Sequence, residues 1–225
     1  MGTADRIERE RLAKRARVIE AARELFVERG IEAVTLREVA QRIEYSTTAI
    51  YVHFADKQAL VETMVREDFE VFEAALASRR SIVDPVERLT ALGEAYVEFA
   101  LAMPHHYRLL FMTPHAKAAG RKTPVEPLPG MGGFGLLVAT VGECIAAGRF
   151  RPELTDAMGI AQALWSAVHG LVSLLIVLGE MADFEWRSRA QLLELGVGSM
   201  VRGMLAAPGP PAKPTPKPRP KPKRR

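Results

Sequence analysis

Apolar residues along this chain recur at spacings of three and four, the rhythm of helices, and the strict alternation that strands need is scarce. Val18, Ala22, Leu25 and Phe26 make one such stripe, and Gly30 follows it where a helix-ending glycine belongs. Thr35 stands three residues before Glu38, a capping box that opens a short helix with Leu36, Val39, Ala40 and Ile43 on one side. Ser46 can cap a second short helix over 47–53, and Asp56 a longer one carrying Leu60, Met64, Phe69, Phe72 and Leu76. Asp84-Pro85 is a cap followed by proline at the first helical position, which predicts a helix of about 20 residues. Pro104 begins another short helix, over 105–111.

The rhythm breaks between 112 and 133, where Pro114, Pro124, Pro127 and Pro129 stand with Gly130, Gly132 and Gly133; this reads as a long, mobile loop. Helix resumes over 134–147 and ends at Gly148. A capped start at Thr155 or Asp156 leads a long apolar helix to 181, and a final helix covers 185–206. Residues 208–225 alternate Pro with Lys or Arg, a composition expected to stay extended and solvated. The pattern as a whole predicts an all-α chain. The two short helices within 36–53 have the proportions of a helix-turn-helix.

Composition adds that 48% of the 225 residues are hydrophobic and 26% charged, which excludes a mostly disordered or fibrous chain. The net charge of +4 invites a nucleic-acid reading, but its distribution weakens that inference. Residues 1–57 hold eleven Lys/Arg against ten Asp/Glu, 58–207 hold thirteen against seventeen, and 208–225 hold seven with no acid. The excess therefore sits on the tail. The single cysteine, Cys144, excludes an intramolecular disulfide framework and a multi-cysteine metal site, and fits a reducing compartment. No apolar run follows the charged N-terminus, and the most apolar stretch, 171–178, is about half of what a bilayer span needs. A soluble, cytoplasmic protein with no membrane partner is the expectation.

The helix-turn-helix region carries a specific series of residues. Glu20-Ala21-Ala22-Arg23-Glu24-Leu25-Phe26, Arg29-Gly30, Thr35-Leu36-Arg37-Glu38-Val39-Ala40, Ser46 with Ile50-Tyr51, His53-Phe54, and Lys57-Gln58-Ala59-Leu60 follow one another in order. Over about residues 14–62 this resembles the N-terminal DNA-binding domain of the TetR family of bacterial transcriptional regulators. Two positions depart from the family pattern. The turn before Ser46 reads Ile43-Glu44-Tyr45 where the family usually has Ala/Gly-Val, which implies a different or strained turn. Thr47 stands where the family often has Lys.

The residue chemistry suits DNA independently. A recognition helix needs short polar side chains near its start, and Thr47 and Thr48 offer hydroxyls and methyls for base edges. Tyr51 and His53 lie on flanking faces with hydrogen-bonding groups for phosphates, while Thr35, Ser46 and Lys57 stand at helix starts. Ile50 and Phe54, four apart, point back into a small core. Arg6, Arg9, Arg11, Lys14, Arg15 and Arg17 form either a minor-groove arm or a solvated helix face paired with Asp5, Glu8 and Glu10.

The C-terminal half has no Gly-rich phosphate loop, nucleophile elbow or metal-spaced cluster, so no enzyme activity, cofactor or metal is expected. His105 and His106 would project about 100° apart on a helix, a poor chelate even with His115 nearby. Trp165-Ser-Ala-Val-His169-Gly170 and the Pro104–Phe111 stretch resemble a C-terminal domain type of TetR-like regulators marked by Trp-x-x-x-His-Gly. That resemblance, over about residues 85–180, implies an effector-binding, dimerising helical domain.

Phe99, Met103, Tyr107, Phe111, Trp165 and His169 are the candidate ligand-pocket residues, each with a plain core role as its alternative. Any ligand should be largely apolar, since Tyr107, His169 and Gln162 are the few polar anchors. Leu164, Val168, Leu171, Leu175, Leu192, Leu195 and Met200 give two helices broad apolar faces, suited to a four-helix bundle between two copies. Cys144 reads as a small buried hydrophobe.

The organisation expected is a DNA-binding domain over 1–60, a helical effector and dimerisation domain over 61–207, and a tail over 208–225. The function expected is a homodimeric, ligand-released repressor on a palindromic double-stranded operator. A nonspecific DNA binder driven by the basic tail is the alternative.

Overall fold

The computed structural model describes residues 2–113, 131–179, 181 and 184–207. The tail, His115 and nearly all of the stretch expected to be a mobile loop lie outside the described residues. Among the described residues the chain is helical, with one isolated antiparallel bridge between Phe150 and Leu205.

Helix α1, Thr3–Arg29, runs unbroken for 27 residues. Its N-terminal cations are helix-face residues: Arg6 pairs with Glu10 at 3.8 Å and Arg11 with Glu8 at 3.5 Å, each within one turn. Helices α2, Leu36–Arg42, and α3, Thr47–Tyr51, follow with the predicted caps. Helix α4, Lys57–Ala77, begins at Asp56, whose carboxylate accepts from the Ala59 amide at 2.7 Å. Helix α5, Pro85–Ala102, is capped by Asp84 and has proline in its first turn.

Helix α6, Pro104–Tyr107, continues as a π-helical stretch, Arg108–Met112. Helix α7, Met131–Ala146, starts three residues before the expected Phe134, so 131–133 are helical rather than loop. Helix α8, Ala157–Leu178, is 22 residues long with a mean hydropathy of 1.8, long and apolar enough by composition to cross a membrane. The strictly apolar run understated this, because Ala, Gly, Ser and His interrupt the helix without making it polar. The last element starts later than expected. Ser188 and Gln191 form a capping box, so α9, Arg189–Leu193, begins four residues after 185 and continues through a π-helical Glu194–Gly198 into α10, Ser199–Met204.

Two hydrophobic clusters result. The first gathers Val18, Phe26, Val34, Val39, Ile50, Phe54, Leu60 and Met64. The second gathers Phe72, Leu92, Tyr96, Phe99, Tyr107, Val141, Ile160, Leu164 and Val172. Helix α4 belongs to both, with Leu60, Val61 and Met64 in the first and Phe72 and Leu76 in the second. The α6 segment also straddles them, since Leu109 enters the first cluster while Tyr107 and Leu110 enter the second.

Candidate nucleic-acid interface and apolar cavity

The N-terminal unit is held by local chemistry. Thr35 caps α2 as expected: its hydroxyl oxygen accepts from the Glu38 amide at 3.3 Å, and the Glu38 carboxylate accepts from the Thr35 amide at 2.8 Å. That amide, the Thr35 hydroxyl and the Arg29 guanidinium hold the Glu38 carboxyl down at about 2.

The turn from α2 to α3 is where the sequence departs from the pattern it resembles, and the backbone there is strained. Glu44 has φ 59°, the one positive value at a non-glycine among the described residues. The Glu44 amide donates to the Gln41 carbonyl at 3.2 Å and the Tyr45 amide to the Ala40 carbonyl at 2.9 Å, the paired bonds of a Schellman ending. A glutamate therefore occupies a left-handed position that usually takes glycine. Tyr45 leaves this turn beneath Arg17, whose guanidinium carbon lies 5.1 Å from the ring centre.

Ser46 then caps α3, its hydroxyl accepting from the Ala49 amide at 3.2 Å. Ile50 and Phe54 are buried as expected, and they orient the rest of the helix. Thr48 is exposed, Tyr51 is 54% exposed and Thr47 half-buried. Val52, not singled out from the sequence, is 67% exposed beside Tyr51. His53 is half-buried, and its proton affinity is lowered by loss of solvation and then by Arg11, Arg15 and Lys14 of α1.

Lys57 has a different task from the one its position at a helix start suggests. Its ammonium donates to the carbonyls of Ile31 at 3.0 Å, Val34 at 3.1 Å and Glu32 at 3.4 Å. All three of its donors are directed at the chain between α1 and α2, so a phosphate contact would have to displace one of them. Arg37, which sequence reasoning passed over, is exposed on the first turn of α2 and makes no hydrogen bond or ion pair among the described residues. Its signal was visible, an arginine two residues after a capping threonine.

The second cluster surrounds a cavity of about 510 Å³. Phe111 and Trp165, both expected there, line it, as does Gln162. Phe99, Met103, Tyr107 and His169 are absent from its described lining. Phe99 packs behind the wall, 5.2 Å from the Phe72 ring, and Met103 ends α5 at 36% exposure. Tyr107 and His169 form a polar layer behind Tyr96, a lining residue that was not predicted. The Trp165 indole N–H donates to the Tyr96 hydroxyl at 3.3 Å, Tyr96 and Tyr107 hydroxyls are 3.1 Å apart, and Tyr107 is 2.6 Å from His169 Nδ1. Burial lowers the His169 proton affinity and raises that of both phenols, so the layer is neutral.

Leu164 and Val168, expected between copies, are instead buried inside the protomer, where both line this cavity. The helix turns a different stripe outward: Ala163, Ser166, Gly170, Leu174 and Val177 are all exposed, with Leu174 at 51% and Val177 at 55%. Leu171, Leu175, Leu192 and Met200 are partly buried, and Leu195 is 69% exposed. Cys144 is buried, which pushes its thiol up to about 11. No group of three His, Cys, Asp or Glu suited to a metal occurs among the described residues.

Comparison with known proteins agrees with this geometry. Residues 18–64 match the model of the bacterial regulatory proteins of the tetR family, and residues 89–200 match a tetracyclin repressor-like C-terminal domain. The second description covers such helical domains without naming a Trp-x-x-x-His-Gly type.

The HTH-type transcriptional repressor Rv1474c of Mycobacterium tuberculosis is 36% identical over 84 residues, 37% of this chain and 44% of that protein. The repressor KstR2 from the same species is 33% identical over 107 residues, 46% and 50% of the two chains. The matched stretch thus spans about half the length of these relatives, or less. A protein of unknown function from Rhodococcus sp. RHA1 has the same fold at TM-score 0.64 and 26% identity, over 86% of this chain and 96% of that one. The KstR2 structure aligns at TM-score 0.65 with 20% identity, over 86% and 95%.

Proposed function

Because this chain belongs to the TetR family of bacterial regulatory proteins, we propose that it is a DNA-binding transcriptional regulator that represses its target and is released by a small apolar effector. The observation that carries the DNA reading is the outward face of α3. Thr48, Tyr51 and Val52 are exposed on a capped helix whose opposite side is anchored by Ile50 and Phe54. Thr35, Ser46, Thr47 and His53 border that face, and Arg37 joins them as a phosphate contact.

The division of labour follows the two clusters: residues up to about 60 read DNA, and those to 207 bind the effector and a second copy. The exposed stripe of α8, with Leu195, supplies the dimer face, and this accounts for an apolar helix of membrane-spanning length in a cytoplasmic protein. A dimer sets two copies of α3 on successive major grooves, so the operator is a near-palindrome. Helix α4 connects the units, and an effector that favours one α4 position changes the spacing of the two readers.

The test is a gel shift on DNA flanking the coding region. A protected inverted repeat, bound by one dimer and released by an apolar extract, is the expected result. Binding that ignores sequence and vanishes on removing 208–225 would establish the tail-driven alternative instead. Leu174→Glu with Val177→Glu should yield monomers by light scattering.

A further inference from the structure

The cavity described above is walled by aromatic rings. Phe72 stands 5.5 Å from Tyr96 and 5.3 Å from Phe111, and Phe134 stands 5.5 Å from Trp165, centre to centre. Among the described lining residues none carries a charge, and only Tyr96, Gln162 and Trp165 present polar atoms. Among these described residues a carboxylate or phosphate meets no cation. An ammonium meets ring faces but no anion. In either case the described wall returns none of the desolvation cost of the charge.

The polar layer narrows the ligand further. Trp165 Nε1 can only donate, so it sets the direction of the chain of bonds it begins. Its proton goes to Tyr96, whose hydroxyl lies 3.1 Å from both the Tyr107 hydroxyl and His169 Nδ1, while Tyr107 lies 2.6 Å from the same Nδ1. Within the layer, Trp165 Nε1 is the group whose role as a donor is fixed by its chemistry. Its 3.3 Å bond to Tyr96 is the longest of the series, and its ring stands on the cavity wall. A ligand oxygen that takes this proton leaves one hydroxyl lone pair unfilled on Tyr96 and keeps the rest of the layer intact. A ligand donor at Tyr96 would compete with the indole N–H for the hydroxyl oxygen, and the Gln162 amide is the other polar group on the described wall.

Resting on the reading of this cavity as the effector site, we infer that the effector is an uncharged, largely apolar molecule bearing one acceptor oxygen, a ketone or ester carbonyl, held by the indole N–H of Trp165. The described wall offers no counter-charge to acids, acyl phosphates or quaternary amines of the same size.

Calorimetry on the full chain at pH 8 with three probes of one shape tests this: 2-acetylnaphthalene, 2-ethylnaphthalene and 2-naphthoate. The ketone should bind about fivefold tighter than the hydrocarbon, the worth of one neutral hydrogen bond. It should bind at least about 100-fold tighter than the carboxylate. Trp165→Phe should bring the ketone down to the hydrocarbon's affinity, whereas Tyr96→Phe, which frees the indole proton, should keep or raise the ketone preference. In the wild-type chain the ketone should shift the Trp165 indole N–H resonance downfield and leave Trp186 unmoved, a readout that does not depend on either variant folding.

Naphthoate binding as tightly as the ketone overturns the inference. So does a ketone preference that survives Trp165→Phe, an unshifted Trp165 resonance at saturation, or failure of both neutral probes to bind. Operator release is measured separately by fluorescence anisotropy. The selective binding pattern without release would sink the effector reading and leave the ligand chemistry standing, and release by a charged ligand in this cavity would do the reverse.

Discussion

Arg23 and Asp68 meet as a two-pronged ion pair inside the protein, Nε to Oδ2 at 3.2 Å and Nη2 to Oδ1 at 2.6 Å, with both side chains at most 4% exposed. The Nδ1 of His106 lies 2.9 Å from the same Oδ1, and Glu20 takes the remaining arm of the guanidinium. The cluster therefore ties α1 to α4 and to α6. A bidentate pair with added hydrogen bonds is the arrangement that makes buried charge tolerable.

Removing one partner leaves the other uncompensated. Asp68→Asn should lower unfolding stability by about 3–5 kcal/mol, read from urea denaturation. The double variant Arg23→Leu with Asp68→Leu should recover most of that loss, because no buried charge remains. A cost below about 1 kcal/mol for Asp68→Asn would show that water reaches the pair.

Lys57 and Tyr51 should separate folding from DNA contact. Lys57→Ala removes an ammonium that holds three carbonyls between α1 and α2, and should cost about 2 kcal/mol of stability along with operator affinity. Tyr51→Phe should weaken operator binding while stability stays within about 0.5 kcal/mol of wild type. Thermal melts and gel shifts on both variants check this, and a Lys57→Ala protein with unchanged melting would contradict the structural role.

The strained turn offers a stabilising substitution. Glu44→Gly relieves a left-handed conformation worth about 1–2 kcal/mol to an L-residue, and gives back about 0.5–1 kcal/mol through a more flexible unfolded chain. A net gain of about 0.5 kcal/mol in urea denaturation is expected, and a loss would mean that the Glu44 side chain has its own partner in solution.

His53 should make operator binding depend on pH. In the free protein its proton affinity lies below the usual 6.5, chiefly through desolvation and then through the cations of α1. A DNA phosphate beside it would raise that affinity, so binding would take up a proton, and operator affinity should rise as pH falls through the region around 6.5. The slope should disappear in His53→Gln. A wild-type slope equal to that of the variant would remove His53 from the interface.

The helix-turn-helix was legible because its determinants are local. Thr35 with Glu38, Ser46 with Ala49 and Asp56 with Ala59 each close within three residues, so the caps could be read from spacing and appear in the structure. The start of α9 was legible in principle too, in Ser188 with Gln191 three residues later. The cavity lining was only partly legible. Periodicity identifies residues that face inward without saying whether another side chain or an empty space faces them, and Phe99 and Phe111 look alike by that measure.

Sequence alone determined the helical class, the order of the elements, the caps from Thr35 to Asp84, and the burial of Ile50 and Phe54 that turns Thr48 and Tyr51 outward, because these depend on contacts within one or two turns. Tertiary structure alone decided the rest. It directed Lys57 to carbonyls 23 to 26 residues away rather than outward. It turned Leu164 and Val168 inward and Leu174 and Val177 outward on a helix apolar on most sides. It gathered Trp165, Tyr96, Tyr107 and His169, drawn from three helices, into one layer of hydrogen bonds. The physical reason is the same in each case: a side chain's partners across the fold are set by how helices pack, and the one-dimensional pattern does not carry that.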